Sequence, residues 1–135
     1  MPISRVAIPL WTVEGVHAQE IISPTWPEIE RAIRALDQQS HQEVYLYPDE
    51  NDDETWLAVV GGKGSYAATG SIANDSFPTL RTKSNGSKES FSIMAGGQLS
   101  EFPSEFEASL EQVIQVAHAF FNAGGFECGV EWHRP

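Results

Sequence analysis

Asp49-Glu50-Asn51-Asp52-Asp53-Glu54 is the densest run of ionisable side chains in the sequence. Such a row of oxygen donors is the material of a calcium loop. An EF-hand loop needs glycine at its sixth position and glutamate at its twelfth, and counted from Asp49 those places hold Glu54 and Val60. The run therefore reads as a solvated hairpin tip, or as a carboxylate cluster that meets a basic surface on another molecule. Gly61-Gly62-Lys63-Gly64 has phosphate-loop residues without the spacing of a phosphate loop, and a strand rather than a helix should follow it. Gly96-Gly97 reads as a bulge or turn. His17, His41, His118 and His133 include no pair at the i, i+4 spacing of a metal site. His118 reads as a partly buried helix residue. Cys128 has no context that would lower its pKa and reads as a small buried hydrophobe. There is no Gly-x-Ser-x-Gly elbow. No catalytic residue, metal or cofactor is expected.

The elements that must position these residues are legible in part. Arg5 to Val13 is apolar and β-prone around Pro9, an edge strand or extended arm within residues 1–23. A helix is expected from Thr25, with Pro27 in its first turn, Glu28 completing a capping box, and Trp26, Ile29, Ile33 and Leu36 on one face. It should end near Gln39. Val44 to Tyr47 reads as a strand, Pro48 to Glu54 as a polar turn, and Trp56 to Val60 as a strand buried on both faces. The Gly-rich turn leads into Ser65 to Ile72. A further strand is possible at Thr79 to Lys83, and Asn85-Gly86 is a hairpin signal leading into Glu89 to Met94. A second helix should start at Ser104 with Glu107 as its capping partner. Its apolar face takes Phe106, Leu110, Val113, Ile114, Ala117, Phe120 and Phe121, and Gly124-Gly125 stops it. Glu127 to Trp132 closes the sheet. The expected class is α+β, a mainly antiparallel sheet with two helices on one face, in the order β-α-β-β-β-β-α-β. Trp26 and Trp56 read as core, and Trp132 as core or a stacking anchor.

At 135 residues and 41% hydrophobic content the chain suits a single domain with a real core. No apolar run approaches the roughly 20 residues of a membrane span, and the N-terminus lacks the features of a signal peptide. One cysteine cannot form an internal disulfide, so a reducing cytoplasmic setting is expected. The net charge is −11, with 11 acids against 3 bases in residues 1–60. That field repels nucleic acid and anionic membranes, and it speeds docking to a basic protein. The bland alternative is that the charge serves solubility.

Gly97-Gln98, Phe102-Pro103, Ala108, Ala119-Phe120-Phe121, Gly124 and Val130-Glu131-Trp132 together form an ending that resembles the first immunity-protein family of bacterial polymorphic toxin systems. The Trp56-Leu57-Ala58-Val59 strand, the turn leading to Ser65-Tyr66, and the Ile29, Ile33, Leu36 helix are similar too. The likeness covers most of residues 24–132. It implies a non-enzymatic protein that binds a cognate toxin domain, often a deaminase or another nucleic-acid-modifying toxin.

On that footing the expected contact residues are Asp49, Glu50, Asp52, Asp53 and Glu54, with Glu89 and Glu101 beside them. They would complement a basic toxin and block its cleft, with no direct contact to nucleic acid or membrane. Tyr45, Tyr47 and Tyr66 are the candidate aromatic anchors, because hot spots favour large aromatics. A monomer is favoured. The competing reading is a small enzyme or ligand-binding domain with a pocket that gathers His118, His133 or Cys128 with carboxylates.

Overall fold

Helix α1 (Trp26–Arg34) begins at a closed capping box. Thr25 Oγ1 accepts the Glu28 N–H at 3.4 Å, and the Glu28 carboxylate accepts the Thr25 N–H at 2.8 Å. Such a cap is worth about 1 kcal/mol. The helix stops at Ala35, short of the expected Gln39. Asp37 turns the chain instead: its carboxylate accepts the N–H groups of Gln39 and His41 at 2.8 and 2.9 Å, and Gln38 adopts φ +61°. The computed structural model describes residues 3–82, 89–126 and 131–133. The Asn85-Gly86 turn, Cys128 and most of the Glu127 to Trp132 segment lie outside them.

Helix α2 (Leu110–Ala123) starts later than Ser104. The sequence carries two Ser-x-x-Glu/Gln boxes in succession, and the second one caps. Ser109 Oγ accepts the Gln112 N–H at 3.1 Å while Gln112 Oε1 accepts the Ser109 N–H at 2.9 Å. The first box is diverted into tertiary contacts. Ala108 exchanges backbone hydrogen bonds of 2.8 and 3.0 Å with Tyr66, and the Glu107 carboxylate accepts the Ser65 hydroxyl at 2.8 Å. Ser104–Phe106 is left as one 3₁₀ turn, so Phe106 is not on the helix. Gly124 ends α2 in the left-handed conformation, φ +73°, its N–H on the Phe120 carbonyl.

The sheet is antiparallel throughout. Strands β1 (Arg5–Thr12), β2 (Gly15–Ile22), β3 (Glu43–Tyr47), β4 (Trp56–Gly62), β5 (Ser65–Ser71), β6 (Thr79–Leu80) and β9 (Trp132–His133) lie in the order β2-β1-β3-β4-β5-β6-β9. A separate hairpin pairs β7 (Ser90–Ala95) with β8 (Gln98–Pro103). Both helices pack on one face, where Ile29, Ile33, Val113, Ala117 and Phe120 meet Val44, Leu46, Leu57 and Val59. The hairpin covers the other face, with Ile93 on Ala58, Val60 and Ala67. This double cover explains why β4 is a continuous apolar run.

β1 is not the edge. A turn at Val13-Glu14 returns the chain as β2, paired along all eight residues from Arg5↔Ile22 to Thr12↔Gly15. Pro9 lies beyond the point, Ala7, where pairing with β3 ends. Lys63 and Gly64 connect β4 to β5 with φ of +57° and +96°, the tight two-residue hairpin expected there.

Candidate functional site

The acidic run sits in the loop between β3 and β4, at the end of the sheet where β1 begins. The loop is shaped by its own carboxylates: Asp49 accepts the Asn51 N–H at 2.9 Å and Asp52 the Glu54 N–H at 2.8 Å. Asp49, Glu50, Asp53 and Glu54 are exposed, and Asp52 is half-buried. Arg5, at the start of β1, ties the loop to the sheet. Its Nη2 donates to Asp53 at 2.7 Å, its Nε lies 3.4 Å from the Glu20 carboxylate of β2, and its guanidinium carbon stands 3.9 Å over the Tyr47 ring. The Arg5 side chain is 16% exposed, against 78% for Asp53 and 51% for Glu20. The hydrogen bond to Asp53 raises the Arg5 pKa, although burial opposes it.

Tyr47 stacks on Tyr45 at 6.4 Å, and Tyr45 meets Trp56 edge-on at 5.5 Å. Burial pushes the Tyr45 hydroxyl up to about 12, helped by the charge of Glu43. Both tyrosines are half-buried on the hairpin side of the sheet. The result is an aromatic and acidic surface at the loop end of β3 and β4, able to bind by charge complementarity and aromatic contact.

At the far end of β3 a polar clasp holds the β7–β8 turn. Gln38 Oε1 accepts the Met94 N–H at 2.9 Å and Gln42 Oε1 the Gly97 N–H at 2.9 Å. Glu43 accepts from Gly96 N–H and from Trp11 Nε1, both at 3.3 Å.

The histidines lie on separate elements. His17 is on β2 and His41 precedes β3. His118 is exposed rather than partly buried, its ring 4.5 Å from that of Trp26. His133 does meet carboxylates, but through Arg81, which contacts His133 Nδ1, Glu105 and Glu131 at 2.7, 2.7 and 2.8 Å. That arrangement latches β9 to the 3₁₀ turn. Among the described residues no group of three histidine, cysteine or acidic side chains is placed to hold a metal ion. No helix among them is long and apolar enough to cross a membrane.

The family model of the immunity protein Imm1 matches residues 17–134. The chain belongs to the Imm1 immunity-protein family. No curated protein matches it. Membership assigns this Imm1 protein an immunity role, with a cognate toxin to bind, and it favours binding over catalysis. The matched stretch opens inside β2, so β1 and Arg5 lie before it.

Of the contact residues expected in this Imm1 chain, the structure brings Tyr45, Tyr47, Asp49, Glu50, Asp52, Asp53 and Glu54 to one end of the hairpin side of the sheet. Glu89 and Glu101 are exposed at the start of β7 and on β8, the hairpin that covers that face. Tyr66 is elsewhere. It is 5% exposed within the helix-side core, because its position in β5 alternates with Ala67 of the other face. A partner has almost none of it to touch. Sequence reasoning missed Arg5 and Glu20. The available signal was that Arg5 is one of only 3 bases in the first 60 residues.

Proposed function

We propose that this Imm1 protein is a non-catalytic inhibitor, one domain acting as a cytoplasmic monomer, that seats itself in the basic active-site cleft of its cognate toxin. The toxin would act on nucleic acid, with deamination as the favoured chemistry. The observation that carries this reading is the continuous surface of loop carboxylates, Glu20 and the Tyr45–Tyr47 aromatics, organised around Arg5. An enzyme that handles nucleic acid needs a basic cleft to neutralise phosphates, and an acidic protein competes for that cleft directly. Charge complementarity of this kind mainly raises the association rate and selects the partner. Aromatic anchors slow dissociation.

Co-expression with the C-terminal domain of the neighbouring gene's product tests the proposal. Growth should be restored and the two proteins should co-purify one to one. Toxicity that persists while this protein is abundant would remove the proposal.

A further inference from the structure

The geometry points to the outer edge of β2 as the seat of a toxin strand, added antiparallel or parallel to the sheet, mainly apolar and with a basic side chain beside Glu20. The inference rests on the immunity reading above and names how the partner is held.

In the β1–β2 ladder, Ser23 N–H donates to Ser4 and Thr12 lies opposite Gly15 across a two-residue turn. Hydrogen bonding alternates along an antiparallel pair. The odd residues of β2 therefore turn their amides and carbonyls to β1, and Val16, Ala18, Glu20 and Ile22 turn theirs outward. No strand pairs with that side of β2 among the described residues. Natural edges are usually blunted by proline, lysine, bulges or short length. This one is eight residues long, and Gly15-Val16-His17-Ala18-Gln19-Glu20-Ile21-Ile22 contains neither proline nor lysine. Val16 is 47% and Ile22 68% exposed.

The two faces flanking this edge define the occupant. On the helix side a cleft of about 370 Å³ runs between β2 and α1, lined by Ile8, Ile21, Ala32 and Ala35 together with the polar Gln19, Glu28, Arg31 and His41. Alternate residues of an added strand would face it, and apolar ones fit. On the other side β2 presents Val16, Ala18, Glu20 and Ile22, with Asp53 joined to Glu20 through Arg5. A basic residue of the added strand fits beside Glu20, with apolar ones beside Val16, Ala18 and Ile22, and at Glu20 the edge runs directly into the acidic surface already described. A second copy of this chain fits less well, because each copy brings a net charge of −11. Main-chain pairing would supply affinity and the cleft would supply specificity.

Hydrogen exchange on the complex with the cognate toxin domain, together with an Ala18→Pro variant, tests this. The Ala18 amide faces outward, so proline there removes a donor without breaking the β1 ladder. In the wild-type complex the amides of Val16, Ala18, Glu20 and Ile22 should exchange at least tenfold more slowly than in the free protein. Ala18→Pro should melt within a few degrees of wild type and bind at least tenfold more weakly, through faster dissociation. Wild-type binding with unchanged exchange at those four amides would overturn the edge proposal and leave the immunity reading standing, and this readout does not depend on how the variant folds. Protection that appears without toxin and rises with protein concentration would overturn it in favour of self-pairing. Absence of wild-type binding would remove the immunity reading itself, and this proposal with it.

Discussion

The ring of Trp11 occupies the space beside Gly97 in which a side chain would have to stand. A Cβ at position 97 would lie 2.6 Å from Trp11 Cζ3 and 2.8 Å from Cη2, and Gly97 has φ +80°. Trp11 also donates to Glu43, so β1, β3 and the β7–β8 turn meet at one point. Gly97→Ala should therefore cost about 2–3 kcal/mol, from backbone strain and displacement of the ring. Urea unfolding is the measurement: the midpoint should fall with little change in slope. A cost under about 0.5 kcal/mol, the range of ordinary surface substitutions, would mean that the turn does not dock on Trp11.

Glu43 makes stability depend on pH. It is 3% exposed, and burial holds its carboxyl above the ordinary 4.5, with the Gly96 and Trp11 N–H groups pulling back. No ion pair to it occurs among the described residues. A carboxyl whose folded pKa is raised favours the fold when protonated. That contribution is complete below its unfolded pKa and is lost as pH rises through the folded value. Glu43→Gln does not titrate. The stability of wild type relative to this variant should be greatest near pH 4 and decline toward pH 7, read from urea curves at each pH. A difference that stays flat across that range would place the carboxylate in water.

The sheet and both helices were legible where local pattern and tertiary demand agreed. Thr25 and Glu28 cap as a box should, and the Trp56 to Val60 run is apolar because two layers cover it. Legibility failed where tertiary contacts chose between equal local signals. Ser104 and Ser109 both start plausible capping boxes, and tertiary contacts, the Ala108–Tyr66 bridge and the Ser65–Glu107 hydrogen bond, select the second. β2 was missed because it is exposed on nearly every residue and so shows no alternation. β8 was missed for a similar reason, since Leu99 points away from the sheet and is 66% exposed. In the candidate site the acidic run was plain from composition. The Arg5 contacts were not, because Arg5 meets Asp53 across 48 residues of chain.

Arg5 should have opposite effects on folding and on binding. Arg5→Met keeps an apolar stem and removes the cation from over Tyr47 and from beside Asp53 and Glu20. The cation–π contact and the largely solvent-screened ion pairs together suggest a loss of about 1–2 kcal/mol in stability. The acidic surface gains a full negative charge in exchange, so association with a basic toxin should quicken about twofold at low salt. Thermal melts and stopped-flow association measure the two effects separately. Slower association with an intact fold would mean that Arg5 itself touches the partner.

The loop and the aromatics should divide the binding kinetics between them. Glu50 and Glu54 are exposed, and the loop uses their backbones, which any residue supplies: Glu50 is the middle residue of the Asp49 turn, and Glu54 gives its amide to Asp52 and its carbonyl to Ser71. Glu50→Lys with Glu54→Lys should therefore fold normally and slow association about tenfold at low salt, with little change in dissociation. Raising the salt should close that gap, because screening shortens the reach of exposed charges to a few ångströms near 1 M. Tyr47→Ala should do the reverse: association nearly unchanged, and dissociation faster by tenfold or more, the signature of a lost aromatic anchor. Measuring both rates for both variants across salt decides whether this end of the sheet is the contact. If neither rate moves in either variant while wild type still binds, the toxin sits on another face, and the acidic loop serves solubility alone.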